Sequence, residues 1–183
     1  MLELKGSRCW VRPWRWTDAA SLVEHANNVN VAKNLRDRFP HPYTKADAKF
    51  FLKHVAAADD PTNLAIEVDG AAVGAVGYVP GHDVERFSAE IGYWLGEAFW
   101  GRGIATEALT LVTEHAFAAM NFLRLYALPF TDNPASTRVL EKAGYTREAR
   151  LQSSCVKYGV PKDQWLYARI NPAWRRPGAE ESK

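Results

Sequence analysis

Residues 89–120 constrain the fold of this chain more than any other segment. Residues 89–95 are typical of a strand, and apolar residues at helical spacing over 104–120 indicate a long helix. Gly101 and Gly103 lie in the short connection between them. Glycine lets the backbone approach a ligand closely, and the N–H groups of a helix's first turn lack helical acceptors. This connection is therefore suited to bind an anion such as a pyrophosphate.

The spacing of this turn disfavours two common nucleotide sites. A P-loop requires Gly, four residues and then Gly-Lys-Ser/Thr, and no such run occurs. A Rossmann fingerprint requires a third small residue where Thr106 stands, together with a βαβ unit at the start of the chain. ATP and NAD are both disfavoured. The glycine pair taken alone fits an ordinary helix entry equally well.

Length, charge and cysteine content narrow the class of protein. A chain of 183 residues is expected to form one domain, and its net charge of +2 is too small to indicate a nucleic-acid partner. The first residues contain no apolar signal core and no window is long enough for a membrane span, so a cytoplasmic location is expected. Two distant cysteines, Cys9 and Cys155, are expected to be reduced thiols. Metal binding is not expected, because metal-ligand spacing is lacking at His25, His41, His54, His82 and His115.

Strand and helix patterns follow one another along the chain. The predicted strands are 8–12, 64–68, 72–79, 89–95, 124–129, 145–156 and 163–170. The predicted helices follow Thr17 or Asp18, begin with a Thr44–Asp47 capping box, and span 104–120 and 135–143. Asp69-Gly70 predicts a hairpin, and residues 158–161 are expected to join the last two strands. The domain is predicted to cover 1–172, with a disordered tail at 173–183.

The run Trp100-Gly101-Arg102-Gly103-Ile104-Ala105-Thr106-Glu107-Ala108 resembles the acetyl-CoA loop of the GNAT acetyltransferases. Trp100 departs from the Gln or Arg usual at the first position of that loop, but Trp is the usual form in the branch resembling ribosomal-protein N-acetyltransferases. Three further segments, 11–14, 39–44 and 133–145, are similar to the same branch in the same order. The resemblance covers nearly the whole chain.

This resemblance implies an α/β fold and an enzyme. The expected fold is a mixed, strongly twisted sheet of about seven strands with helices on both faces. Its fourth and fifth strands, 89–95 and 124–129, are expected to splay apart, with acetyl-CoA bound between them. The implied activity is direct transfer of an acetyl group to a primary amine in a ternary complex.

By the same resemblance, cofactor contacts fall on three segments. Main-chain groups of Trp94 and Leu95 are expected to pair with the pantetheine arm, and N–H groups from Gly101 to Thr106 with the pyrophosphate. Arg102 either adds charge there or is a solvated loop arginine. Asn133 is expected to reach the cofactor arm, and it also fits an N-cap before Pro134. The predicted cofactor residues are Trp94, Leu95, Trp100, Gly101, Arg102, Gly103, Ile104, Ala105, Thr106, Asn133 and Ser136.

Two residues are candidates for proton transfer. Ser136 is expected near the thioester sulfur, where its hydroxyl can protonate the departing thiolate, although a first-turn serine can also bond backbone. Many family members use a tyrosine acid where this chain has Leu140, so that acid is excluded, and Tyr145 is read as core. Glu90 is the candidate base for the attacking amine, directly or through water, with an edge-exposed carboxylate as the alternative.

The acceptor is expected to be a protein or peptide N-terminal amine, since an α-amine with a pKa of about 8 is already roughly a tenth neutral at pH 7. Small amines such as a polyamine, an aminoglycoside-like compound or an amino acid remain alternatives, as do a lysine side chain and a non-catalytic acyl-CoA sensor. A homodimer is a further expectation from the branch. The predicted acceptor contacts are Asn34, Arg36, Phe39, Tyr43, Tyr158 and Trp165.

Overall fold

The computed structural model describes residues 2–56 and 62–176. These residues form one mixed sheet of eight strands in the order β1-β2-β3-β4-β5-β6-β8-β7. The strands are β1 (Leu4–Lys5), β2 (Trp10–Arg12), β3 (Asn63–Val68), β4 (Ala71–Pro80), β5 (Ser88–Leu95), β6 (Arg124–Ala127), β7 (Thr146–Lys157) and β8 (Val160–Ile170). The helices are α1 (Ala19–Ala26), α2 (Val29–Ala32), α3 (Lys45–Val55), α4 (Ile104–Ala119) and α5 (Pro134–Lys142).

The separation of β5 and β6 organises the sheet. These strands are parallel and pair only over residues 88–90 and 124–126. Beyond Glu90, β5 continues to Leu95 paired with β4 alone. The predicted splay and fold class are confirmed. The sheet has eight strands rather than about seven, because the two-residue β1 is too short to give a sequence pattern.

Two apolar clusters lie on opposite faces of the sheet. One contains Ile91 and Leu95 of β5 with the buried face of α4 and Leu140 of α5. The other contains Leu22 of α1 and residues of α3, and Trp94 of β5 packs against it. Successive residues of a strand point to opposite faces, so β5 contributes to both clusters. Helices therefore cover both faces, as expected.

Two hairpins illustrate what turn chemistry predicts. Asp69 and Gly70 join β3 to β4 with φ of 49° and 82°, as the Asp-Gly signal predicts. The last hairpin was expected to turn over four residues, and this expectation is wrong. Tyr158 and Gly159 make the whole turn with φ of 51° and 79°, and Val160 already pairs with Lys157.

The predicted side-chain caps are present at two helix starts out of three. Thr44 and Asp47 form the expected reciprocal capping box of α3, and Asn133 caps α5 by accepting from the Ser136 N–H. Asp18 precedes α1, but its carboxylate does not cap that helix. It accepts instead from the buried Arg12 guanidinium, at 2.8 and 2.9 Å. Burial of the arginine makes this pairing necessary and overrides the capping role.

The chain remains in contact with the domain just after the predicted boundary at 172. The Trp174 ring packs against Phe87, with centroids 5.6 Å apart, and its Nε1 donates to the Asn121 carbonyl at 3.1 Å. The rest of the predicted tail, residues 177–183, lies outside the described residues. Within 2–56 and 62–176, no helix has the length and apolar character needed to cross a membrane.

Glu107, in the first turn of α4, ties the N-terminal segment to that helix. Its carboxylate accepts from the Ser7 N–H at 3.0 Å, the Ser7 hydroxyl at 2.7 Å, the Arg8 N–H at 2.7 Å and the Cys9 N–H at 3.0 Å. Burial alone would raise the pKa of this carboxyl, but these hydrogen bonds outweigh it and lower the pKa to about 2. A fixed charge therefore anchors β2 beside the start of α4.

Replacing Glu107 with Gln should lower the free energy of unfolding at pH 7 by roughly 1–3 kcal/mol, since one acceptor oxygen and the charge are lost. An unfolded glutamate has a pKa of about 4.3, so the stabilisation is complete above that pH and declines as the pH falls toward 2. Urea unfolding should therefore show a larger difference between wild type and variant at pH 7 than at pH 3.

The matched control is Glu114→Gln, an exposed carboxylate on the same helix that pairs with Arg169. It should change the free energy of unfolding by less than about 0.5 kcal/mol. An equal effect of the two substitutions would contradict the anchoring role of Glu107.

Candidate functional site

A cleft of ≈ 670 Å³ opens where β5 and β6 separate. Its floor is β5, one wall is the turn that leads into α4, and the opposite wall is α5 with the segment after β6. Residues 30–36, from α2 and the loop after it, close the remaining side. The lining includes Asn34, Arg36, Glu90, Gly92, Tyr93, Trp94, Leu95, Trp100, Gly101, Gly103, Ile104, Ala105, Thr106, Asn133, Ser136, Arg138 and Lys142.

The turn before α4 exposes main-chain donors to the cleft. Gly101 and Gly103 have φ of 75° and 76°, a conformation that side chains rarely adopt. The first helical bond of α4 runs from the Glu107 N–H to the Gly103 carbonyl. Within the described residues, the N–H groups of 104–106 therefore have no protein acceptor. These donors, together with the helix dipole, have the geometry that the predicted anion site requires.

The side chains of Trp100 and Arg102 behave differently around this turn. Trp100 Nε1 donates to the Leu95 carbonyl at 2.7 Å, so this side chain fixes the turn against the end of β5. The Arg102 guanidinium lies 5.3 Å from the centre of the Phe99 ring and does not line the cleft. The loop-arginine alternative for Arg102 therefore fits the structure better.

The edge of β5 that faces the cleft presents the main-chain N–H and C=O groups of alternate residues. The Gly96 N–H donates to the Val73 carbonyl, which turns the main-chain groups of even-numbered residues toward β4. Those of Tyr93 and Leu95 consequently face the cleft. This position of the Leu95 groups is as expected for contact with the pantetheine arm. The main-chain groups of Trp94 do not face the cleft, because they pair with β4. Trp94 instead contributes its ring, which packs edge-on against Phe39 at 5.5 Å.

Asn133 and Ser136 bring two polar side chains from α5 to the cleft. Asn133 Oδ1 accepts from the Ser136 N–H at 3.2 Å, so the capping role is occupied by this oxygen. The Ser136 hydroxyl is 2.8 Å from the Tyr93 hydroxyl. Leu140, one turn further on, is fully buried. A hydroxyl is therefore available at the cleft from Ser136 and none from position 140.

Glu90 lies where β5 and β6 begin to separate. Its Oε1 forms an ion pair with Arg36, and its side chain is 29% exposed. No hydrogen bond to Oε2 is found among residues 2–56 and 62–176. Opposite it on β6 is Tyr126, whose pKa is raised by burial and then by the Glu90 charge. The carboxylate is therefore partly exposed and has one oxygen open to a further partner.

The six predicted acceptor contacts separate into two groups. Asn34 and Arg36 line the cleft. Phe39 and Tyr43 do not, because they pack on one another at 5.2 Å within the cluster under α1 and α3. Tyr158 stands at the exposed hairpin tip with the Lys157 ammonium over its ring, and Trp165 stacks under the Arg147 guanidinium. None of these four aromatic residues lines the cleft, and their role as acceptor contacts stays a prediction.

Three of the lining residues that the sequence analysis missed are Tyr93, Arg138 and Lys142. Tyr93 was given no role in the sequence, because strand alternation gives the face of a side chain and not the reach of its hydroxyl. Arg138 and Lys142 lie on the cleft face of α5, where Ser136 and Val139 also lie. Helical spacing from Ala135, which also lines the cleft, would have identified both basic residues at i+3 and i+7. In the described part of the chain, no three metal-binding side chains cluster.

Comparison with known proteins identifies the relatives of this fold. A family model described as "Acetyltransferase (GNAT) domain" matches residues 8–146. N-acetyltransferase YoaA of Bacillus subtilis, which is uncharacterized, is 37% identical over 84 residues, 46% of this chain and 48% of that protein. The ribosomal-protein-serine acetyltransferase of Escherichia coli is 37% identical over 45% of this chain and 46% of its own length. The chain thus spans about half the length of these relatives.

A longer match is to the spermidine N(1)-acetyltransferase of Escherichia coli, 26% identical over 77% of this chain and 74% of that protein. Among solved structures, a GNAT-family acetyltransferase from Bacillus anthracis aligns with a TM-score of 0.82 at 21% identity, covering 92% of this chain and 98% of its own. RimL, a ribosomal L7/L12 α-N-protein acetyltransferase solved with coenzyme A, aligns with a TM-score of 0.78 at 20% identity, covering 92% and 98%. MccE, a microcin C7 self-immunity acetyltransferase solved with acetyl-CoA and AMP, aligns with a TM-score of 0.80 at 22% identity, covering 91% and 94%.

Gly92 leaves space in the cleft beside Glu90, since a Cβ built there would meet nothing within 4 Å. Gly92→Ala and Gly92→Leu should therefore fold normally, and neither should lower the free energy of unfolding. The larger side chain should obstruct the approach to Glu90. We expect acetyl transfer to fall progressively, by about tenfold or more for Leu, as misplaced reactants lose orientation.

The measurements are kcat/KM for the acceptor and urea unfolding of both variants. Full activity of Gly92→Leu in a stably folded protein would mean that the reacting groups do not meet above Gly92.

Proposed function

This chain belongs to the GNAT acetyltransferase family, and we propose that it transfers the acetyl group of acetyl-CoA to a protein or peptide N-terminal amine. The observation that carries the proposal is the cleft between β5 and β6. One end has unbonded N–H groups at the start of α4, and the other has the Glu90 carboxylate. A phosphate-binding end and a proton-accepting end in one continuous cleft suit a thioester substrate and an amine.

The donors present in the cleft fit acetyl-CoA. The N–H groups of 104–106 suit its pyrophosphate, and the Tyr93 and Leu95 main-chain groups suit the amides of the pantetheine arm. Arg138 and Lys142 line the same side and supply positive charge for the remaining phosphate. Asn133 retains its side-chain amide for the cofactor arm while its oxygen caps α5.

The proposed reaction is a direct transfer. The amine nitrogen attacks the thioester carbonyl carbon, an N–C bond forms, and the C–S bond breaks with its electron pair leaving on sulfur. Glu90 accepts the proton that the amine loses, directly or through a water. The Ser136 hydroxyl donates a hydrogen bond toward the sulfur. The products are the acetylated amine and CoA.

The ion pair between Arg36 and Glu90 does not prevent this role. The Arg36 side chain is 61% exposed, and an exposed pair contributes about 0–1 kcal/mol. An arriving amine can therefore replace it at small cost. Because an α-amine is already partly neutral at pH 7, a weakly basic carboxylate is sufficient.

The charge of the cleft supports an N-terminal amine over a polyamine. Each carboxylate that lines it already has a partner. Glu90 pairs with Arg36, Glu97 accepts from Asn28 and Asn30, and Asp132 pairs with Lys162. Within the part of the chain that the structure describes, the four cations of the lining, Lys33, Arg36, Arg138 and Lys142, also outnumber its three carboxylates. This balance disfavours a polyamine, which carries several positive charges, more than a peptide N-terminus, which presents one amine.

We expect CoA thiol release when the purified protein is mixed with acetyl-CoA and peptides with free N-termini. The kcat/KM for these peptides should exceed that for spermidine, for an aminoglycoside and for N-terminally blocked lysine peptides by at least about tenfold, because only the α-amine is appreciably neutral at pH 7. The assay follows the released thiol across this panel of acceptors.

A preference for spermidine or for the lysine side chain would overturn the proposed acceptor. Absence of release with every amine, together with an increase in melting temperature on adding acetyl-CoA, would favour the cofactor-sensing alternative. Absence of both would overturn the cofactor assignment.

Replacing Glu90 with Gln should lower kcat/KM for the peptide by about 10- to 100-fold at pH 7, since general-base catalysis is lost. The control is Glu97→Gln, which removes a second carboxylate of the same cleft that is held by Asn28 and Asn30. Rates should be measured across pH for both variants. An unchanged rate for Glu90→Gln at every pH would remove Glu90 from the mechanism.

A further inference from the structure

The side chains of Tyr93, on the β5 floor of the cleft, and Ser136, on its α5 wall, are in contact. The Tyr93 hydroxyl is 2.8 Å from Ser136 Oγ and 3.0 Å from the Ser136 carbonyl oxygen. Both residues line the cleft, and Tyr93 is the one tyrosine among the described residues that line it. A polar link between β5 and α5 therefore stands at the site where the mechanism needs a hydroxyl.

The hydrogen-bond partners of Ser136 decide where its proton can point. Its N–H is bonded to Asn133 Oδ1, and its carbonyl lies within α5, where Leu140 supplies the helical N–H. A tyrosine hydroxyl has one proton and two acceptor positions. The Tyr93 hydroxyl donates to the Ser136 carbonyl at 3.0 Å and, by sharing the same proton, to Ser136 Oγ at 2.8 Å. With Oγ as an acceptor, the serine proton is free to point into the cleft. Among the described residues of β5, the Tyr93 hydroxyl is the group that fixes the rotation of the Ser136 hydroxyl.

Tyr93 is unsuited to give up its own proton. Burial raises the pKa of its hydroxyl well above the ordinary value, and the hydrogen bond with Ser136 opposes this only in part. A phenolate beside the apolar cluster of α4 and α5 would be strongly disfavoured. The tyrosine therefore remains a neutral hydrogen-bond donor throughout the reaction.

We propose that Tyr93 is a positioning residue that turns the Ser136 hydroxyl proton toward the thioester sulfur. The inference rests on the proposed function and extends it to a residue outside the predicted site. As the C–S bond breaks, the sulfur takes the electron pair and Ser136 stabilises it with a hydrogen bond. Ser136 keeps its own proton throughout. The amine loses one proton to Glu90, which passes it to solvent, and the CoA thiolate takes up one proton from solvent, so the protons balance.

A double-mutant cycle tests this dependence. Tyr93→Phe keeps the ring and removes the hydroxyl, while Ser136→Ala removes the proposed donor. We expect kcat to fall about tenfold for Ser136→Ala and about three- to tenfold for Tyr93→Phe, as hydrogen bonds to charged groups are among the stronger ones. The double variant should be no slower than Ser136→Ala, because Tyr93 acts only through the serine. The KM for acetyl-CoA should change less than about twofold.

Tyr145→Phe is the matched control. It removes another buried tyrosine hydroxyl, bonded to Thr113 at 2.7 Å, on the core side of α4. It should lower stability and leave kcat unchanged. A full Tyr93→Phe effect in the Ser136→Ala background would overturn the proposal, as would an unchanged kcat for Ser136→Ala.

A second measurement needs no acceptor amine. The thiol of CoA bound to the protein can be titrated through the ultraviolet absorbance of its thiolate. A donor aimed at the sulfur favours the thiolate, so the wild-type complex should ionise at lower pH than the Tyr93→Phe and Ser136→Ala complexes, with the Tyr145→Phe complex like wild type. Equal titration in all four would overturn the proposal. If turnover is absent but the titrations differ as expected, the acceptor assignment fails and the role of Tyr93 stands.

Discussion

The structure around the cleft depends on the early separation of two parallel strands, β5 and β6. β5 and β6 pair over three residues each, and within the described residues the main chain of β5 from Gly92 to Leu95 then has a strand neighbour on one edge alone. Unpaired main-chain groups require other partners. Trp100 satisfies the Leu95 carbonyl, and the other groups of this edge are left for a ligand. The cleft exists because the sheet is open here.

The elements around the opening are fixed by polar anchors that are distant in sequence. Glu107 holds the segment from Ser7 to Cys9 beside the start of α4, which sets the position of the glycine turn. Asn133 caps α5 and orients Ser136. Tyr93 then links Ser136 back to β5. The chemistry proposed for the cleft uses a rigid frame in which each functional side chain is oriented by a second polar contact.

The sequence predicted what depends on local chemistry and missed what depends on distant contacts. Gly101 and Gly103 identified the anion turn because positive φ is a local requirement, and Asn133-Pro134 identified the start of α5 for the same reason. Four residues assigned to the acceptor wall lie outside the lining of the cleft, since an aromatic side chain gives no local signal of whether it faces a core or a cleft. These residues are Phe39, Tyr43, Tyr158 and Trp165. The partners of Glu107 and Tyr93 lie 98–100 and 43 residues away, beyond any local pattern.

The most direct test of the account is a crystal structure of the protein with CoA. It should place the pyrophosphate on the N–H groups of residues 104–106, the pantetheine arm along the free edge of β5, and the sulfur within hydrogen-bond distance of Ser136 Oγ. CoA bound outside the opening between β5 and β6, or with its sulfur far from both Ser136 and Glu90, would contradict the account.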